Sequence, residues 1–289
     1  MLWGFPKAQP TRPLPRLEGL AARTEMKPVK PKKSLGQHFL RDLDVARRIA
    51  DTVDACPDLP ILEVGPGMGV LTQFLLQKGR RLRVVEVDDE SVRYLRQHFP
   101  DLEDDIVEDD FLLMHLERTF QGQPFVLTGN YPYNISSQIF FRMLEYRDLI
   151  PCCTGMIQLE VAERLASPPG RKAYGILSVL VQAWYDVELL FTVDAHVFSP
   201  PPKVRSAVVR LRRNDVHDLG CDEQLLRRVV KTTFGQRRKT LRNSIRTLLP
   251  LDSPLPATDP TMSLRPEQLS VHDFIDLTNR VAQAQSQVP

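Results

Sequence analysis

The sequence predicts an α/β fold: a doubly wound, largely parallel sheet followed by a small all-helical C-terminal domain. Three observations predict it. Short apolar runs alternate with helix-length patterns as far as residue 160, a glycine-rich turn follows the first of those runs, and after Asn214 only helical patterns remain. Alternation of this kind requires parallel strands joined by crossover helices.

In chain order, "PILEV" (60–64), "RLRVVEV" (81–87), "DIV" (105–107), "PFVLTG" (124–129) and "CCTGMIQLE" (152–160) read as strands. "DVELLFTV" (186–193) and "SAVVRLR" (206–212) follow one another with no helix-length insert, which predicts an antiparallel pair at one edge. Helices are expected over 222–234, 237–249 and 270–283, the last opening with Ser270 and Asp273 at capping-box spacing. The chain of 289 residues is long enough for two units. The expected division is 1–29 as an N-terminal extension unable to pack, with Met26 a candidate start, 30–213 as the sheet domain and 214–289 as the helical domain.

No apolar run approaches the roughly 18 residues of a membrane span, so no membrane partner is expected. The four cysteines form no CxxC pair and no Cys/His cluster at zinc spacing, which leads to the expectation of a reduced, cytoplasmic setting without a metal. Charge is uneven: residues 86–118 hold twelve acids against three bases, whereas 227–246 hold eight bases and no acid. The basic run is either a face for a polyanion or a solvated helix.

The chemistry concentrates at the strand ends. In "EVGPGMGVLT" (63–72), Gly65 and Gly67 let the backbone approach a ligand at a helix start, although Val70 stands where the dinucleotide fingerprint requires its third glycine. Glu86, at the end of the next strand, is placed to accept hydrogen bonds from ribose hydroxyls. Asp110, with Asp109 as the alternative, can accept from an adenine amino group, with Phe111 or Met68 packing on the ring. A P-loop lysine is absent, which argues against a triphosphate and for an adenosine cofactor. "GNYPYNIS" (129–136) then ends the fourth strand. Pro132 keeps Tyr131 extended and aims its carbonyl outward, so that this carbonyl and the Asn130 side-chain oxygen can hold an exocyclic amine while Tyr133 stacks on its base.

Asn-Tyr-Pro-Tyr resembles the Asn/Asp-x-Pro-aromatic motif of the N6-adenine methyltransferases. With "KKSLGQHFL" (32–40), "KAYGILSVL" (172–180), "FSPPPKVRSAVVRL" (198–211) and "FGQRRKTLRNSI" (234–245), the chain is similar from Lys30 to Val281 to the ribosomal RNA adenine N6-methyltransferase family, specifically the bacterial 16S rRNA adenine N6,N6-dimethyltransferases. The resemblance implies a Rossmann-like class I methyltransferase sheet with S-adenosyl-L-methionine as cofactor. It implies dimethylation of two adjacent adenosines in the 3′-terminal hairpin loop of 16S rRNA within the immature 30S subunit, by a monomer. Carried over by position, it implies cofactor contacts at His38, Leu40, Gly65, Glu86, Asp110 and Asn130, and a flipped adenine sandwiched between Tyr133 and Phe198. RNA phosphates are assigned to Lys32, Lys33, Arg237, Arg238, Lys239 and Arg242. The sequence departs from the family at His38, commonly Asn, and at Tyr131, often Leu, where a ring aimed into the pocket would crowd a second methyl group. Three rivals share some of these features: a methyltransferase acting on large-subunit RNA, a non-catalytic ribosome assembly factor, and a dehydrogenase.

Overall fold

The computed structural model describes residues 29–286 apart from 254 and 256–258; the expectations for the N-terminal extension and for Met26 fall on 1–28, outside the described residues. Nine strands are described: β1 Phe39–Leu40, β2 Ile61–Val64, β3 Leu82–Glu86, β4 Ile106–Glu108, β5 Val126–Thr128, β6 Cys152–Gln158, β7 Tyr185–Val193, β8 Phe198–Ser199 and β9 Ser206–Arg213. The α-helices are α1 Leu43–Asp51, α2 Thr72–Leu75, α3 Asp89–His98, α4 Leu116–Thr119, α5 Ser136–Glu145, α6 Leu159–Ala166, α7 Ile176–Gln182, α8 Glu223–Gly235, α9 Leu241–Ser244 and α10 Val271–Ser286.

Seven strands form one sheet in the order β4-β3-β2-β5-β6-β9-β7, with β1 and β8 in a separate antiparallel ribbon. The first five are parallel, Ile61 lying between Leu82 and Val126, while β9 runs antiparallel to both β6 and β7. The expected edge pair is therefore present. Strand β2 is buried at every position, as a central strand covered on both faces must be. One hydrophobic cluster packs α1, α2 and α3 on one face. A second, on the other face, joins α5, α6 and α7 to Leu226 and Val230 of α8 and to Phe274 and Leu277 of α10.

Two expectations change. Residues 237–249 do not form one helix: α8 ends at Gly235, turns follow through Lys239, Thr240 is extended, and only Leu241–Ser244 is α-helical. That break lets Leu241 and Ile245 bury completely, which a continuation of α8 does not provide. The cysteines also show a pairing that the sequence reading did not expect. Cys56 and Cys152 form a disulfide across 96 residues of chain, with Cα atoms 5.8 Å apart, while Cys153 and Cys221 are free. Spacing in sequence carries no signal for a pair brought together by the sheet.

Candidate active site

The chain runs outward from β2 through β3 to β4, then returns to the opposite side of β2 with β5. At such a switch point the carboxyl ends of neighbouring strands diverge and leave a crevice. A cavity of about 250 Å³ lies there, lined by residues 35–40, by Glu63, Gly65 and Gly67, by Glu86 and Asp110, and by residues 130–135.

The wall formed by β2, β3 and β4 is built from carboxylates held by backbone amides. Glu86, 5% exposed, accepts from Gly67 N on one oxygen and from Val87 N and Asp88 N on the other. Burial pushes its carboxyl above the ordinary range against the pull of those three amides. Gly67 has a positive φ, and a Cβ there would lie 2.9 Å from the Phe39 ring, so this glycine is needed both for conformation and for close approach. Asp110 accepts from Leu112 N on Oδ1, leaving Oδ2 for a ligand. Of the two acids considered, Asp110 lines the crevice; Asp109 bonds the Asp110 amide instead. Met68 lines the crevice and Phe111 does not.

The sequence reading passed over Glu63. It is 1% exposed, accepts from the Thr72 hydroxyl at 2.7 Å and lines the crevice. Burial, eased by the Thr72 bond and reinforced by nearby Glu86, raises its pKa to about 8, so most of it keeps a proton at neutral pH. Its signal was its place as the acid two residues before Gly65 of the glycine turn.

The segment before α1 forms a further side of the crevice. Strand β1 pairs with β8, Leu40 opposite Phe198, and Arg41 N donates to Val197 O at 2.9 Å. The His38 carbonyl accepts from Asn130 Nδ2 at 3.2 Å, which orients that amide and leaves its oxygen free to accept. The departure from the family's Asn thus has a physical reading: the contact to Asn130 comes from the backbone of residue 38. The His38 side chain donates from Nδ1 to Pro200 O at 2.8 Å and lies beside Tyr133, with ring centroids 5.2 Å apart.

On the opposite wall, Tyr131 N donates to Met156 O, and Met156 N to Gly129 O, so β6 extends the ladder past the end of β5. The Tyr131 ring is 1% exposed and its hydroxyl donates to Thr154 O at 3.0 Å. It points into the core, so it does not crowd the crevice; what residue 131 offers there is backbone, and its carbonyl accepts no hydrogen bond among the described residues. Gly155 makes room, since a Cβ there would lie 2.4 Å from Gly129 O and 2.6 Å from the Tyr131 ring.

The expected Tyr133/Phe198 sandwich is not formed. Phe198 is 3% exposed, lies outside the crevice lining and meets Tyr133 at 69° with centroids 6.4 Å apart. The two rings meet edge to face rather than in parallel, with the Phe198 backbone paired to Leu40 in the β1/β8 ribbon.

The residues assigned to RNA divide. Lys32 pairs with Asp88 and Glu90. Arg237 Nε bonds Glu267 at 2.7 Å and its guanidinium also reaches Arg171 O, which ties the segment after α8 to the loop before α10. Arg238, Lys239 and Arg242 are exposed and make no ion pair among the described residues. The side chain of Lys33 lies outside the described residues.

The same chain is matched over residues 29–283 by the ribosomal RNA adenine dimethylase family. It is 70% identical over 256 residues to the ribosomal RNA small subunit methyltransferase A of Phocaeicola vulgatus, covering 89% of this chain and 91% of that protein. It is 64% identical over 253 residues to the protein of the same name from Parabacteroides distasonis, covering 88% and 94%. Among solved structures, a dimethyladenosine transferase from Plasmodium falciparum superposes with TM-score 0.68 at 22% identity over 86% of this chain and 98% of that one, which speaks to the fold. The 23S rRNA methyltransferase ErmE gives TM-score 0.58 at 28% identity over 85% and 100%. A switch-point crevice bearing Glu86, Asp110 and Asn130, in a chain matched almost from end to end, leads to one assignment: the chain belongs to the ribosomal RNA adenine dimethylase family.

Proposed function

We propose that this protein dimethylates N6 of two adjacent adenosines in the 3′-terminal hairpin loop of 16S rRNA, using S-adenosylmethionine, during assembly of the small ribosomal subunit. The observation that carries the reading is the convergence of Glu86, Asp110 and Asn130 in one crevice beneath the 35–40 lid. The identity of 70% to small-subunit methyltransferases, against 28% to ErmE, favours the small subunit over the large as the substrate.

The crevice suits S-adenosylmethionine by its donor set. Glu86 would hold the ribose, Asp110 Oδ2 the adenine amine, and Met68 and Leu112 the faces of the ring, with Gly65 and Gly67 giving backbone access. When bound, the cofactor supplies an electrophilic sulfonium methyl group. The remaining work belongs to the chain. An adenine amine is a poor nucleophile because its lone pair is delocalised into the ring. Asn130 Oδ1 and the Tyr131 carbonyl accept its two N–H bonds and favour the pyramidal nitrogen, while Tyr133 offers a stacking face worth about 1–3 kcal/mol. The attacking nitrogen needs no prior deprotonation; its proton leaves once it carries positive charge. The burial of the Tyr131 ring supports room for a nitrogen that already bears one methyl.

Residues 30–213 would form the catalytic domain and 214–289 the RNA-binding one, with Arg238, Lys239 and Arg242 on phosphates and a monomer acting on the immature subunit in the cytoplasm. The test is Asn130→Ala assayed on immature small subunits. Methyl transfer should fall by about 10²-fold, on the order of 3 kcal/mol, by analogy with loss of one preorganised polar group. Near-normal transfer would refute the assignment, and a primer-extension stop at the two adenosines reads the product directly.

A further inference from the structure

Lys32 is separated from Asp88 by 56 residues of sequence, and its ammonium sits on that carboxylate. We propose that Lys32 is a positioning residue for the cofactor crevice: its ion pair with buried Asp88 latches the lid of residues 35–40 in the closed position. The inference rests on the reading of the crevice as the S-adenosylmethionine site.

Asp88 has no side-chain exposure, and both oxygens are engaged, one by Lys32 and the other by Gln37 Nε2 at 3.2 Å and Ser91 Oγ at 3.0 Å. A carboxylate taken out of water is costly unless its cation stays in place, so Asp88 recruits Lys32 firmly although half of the pair borders solvent. Gln37 closes the loop, its Oε1 accepting from Lys32 N at 2.9 Å. The Asp88 backbone amide, meanwhile, is one of the three that hold Glu86. One turn of chain therefore anchors the lid on its side-chain side and the proposed ribose acid on its backbone side. Immediately beyond Gln37 come the His38 carbonyl that orients Asn130, Phe39 over Gly67, and Leu40. Releasing the latch shifts the register of all three. Lys32 accordingly governs cofactor retention rather than RNA affinity.

The experiment measures binding of S-adenosylhomocysteine by calorimetry to the full chain and its variants, beside affinity for immature small subunits at several salt concentrations. Lys32→Met should weaken probe binding about tenfold, as expected if the closed lid drops to about a tenth of the population. Lys32→Arg should restore it, and subunit affinity with its salt slope should stay at the level of the unaltered protein. Amide exchange of residues 35–40 should quicken in Lys32→Met and return to the level of the unaltered protein in Lys32→Arg. If Lys32→Met folds poorly, Gln37→Ala removes the bonds by which the pair holds the lid, to Lys32 N and Asp88 Oδ2, and should weaken the probe and quicken exchange in the same direction. Unchanged probe binding with a salt slope reduced by about one makes Lys32 a phosphate contact and overturns the proposal. Unchanged probe binding with an unchanged slope overturns it as well. Glu86→Ala separates the two readings. If Glu86→Ala binds the probe normally, the crevice is not the cofactor site and the proposed function falls; if it loses the probe while Lys32→Met keeps it, only the latch falls.

Discussion

The crevice wall at the ends of β2, β3 and β4 and the basic segment after Phe234 are both rich in charge, yet they hold it in opposite ways. Along the wall, carboxylates are fixed largely by amides one or two residues away, Glu86 by Val87 and Asp88 on one oxygen and Asp110 by Leu112, with Gly67 alone reaching Glu86 from the neighbouring turn. In the basic segment, position depends on distant partners. Arg237 is claimed by Glu267, whereas its neighbours Arg238 and Lys239 stand exposed. Local backbone fixation makes a residue's role readable from spacing. Tertiary pairing makes two adjacent arginines do different things.

The most disruptive test lies across the crevice from that wall, at Gly155→Ala. Its Cβ would meet Gly129 O at 2.4 Å, backbone that cannot give way, so unfolding by denaturant should show a loss of roughly 3 kcal/mol or more. Glu63 sharpens the electrostatic side. Its folded pKa of about 8 lies above the ordinary 4.5, so the folded chain keeps a proton that the unfolded chain releases between those values. Its contribution to stability is therefore full below pH 4.5 and is lost as pH rises through 8. Glu63→Gln should flatten that part of the stability profile, by on the order of a few kcal/mol across the window, as thermal melts at pH 5 and pH 8 would read.

Tyr131→Leu comes next. Loss of the ring and of its bond to Thr154 O should cost about 2 kcal/mol of stability. Because the ring points into the core, the ratio of dimethyl to monomethyl product, measured by mass spectrometry of digested RNA, should not rise. An increase would mean that the ring had crowded the site. The smallest effect distinguishes the basic residues. Arg238→Ala with Lys239→Ala should lower the salt slope of subunit binding by about two. Arg237→Ala should instead loosen the contact with Glu267 and leave the slope nearly unchanged, and equal slopes in the two variants would mean that Arg237 and its neighbours act alike.

Most of the sheet was legible because its apolar runs and glycine turn are local signals, and the capping box at Ser270 and Asp273 forms as its spacing predicts. The crevice was legible where a strand end carries a lining side chain by itself, as at Glu86, Asp110 and Asn130. It was not legible at Lys32, whose partner comes from the far side of a crossover, nor at Phe198, drawn into the ribbon with β1. The broken helix after Gly235 escaped notice because its helical period is sound, and only the burial of Leu241 and Ile245 requires the break.

By itself, then, the sequence determined the order of strands and helices, the glycine turn and the acids beside it, since each depends on neighbours within a few residues. The tertiary structure alone decided that Tyr131 turns into the core beside Gly155, that Cys56 meets Cys152, and that Lys32 meets Asp88. Each of those outcomes is set by which surfaces the sheet brings into contact, and contact across crossovers leaves no trace in local spacing.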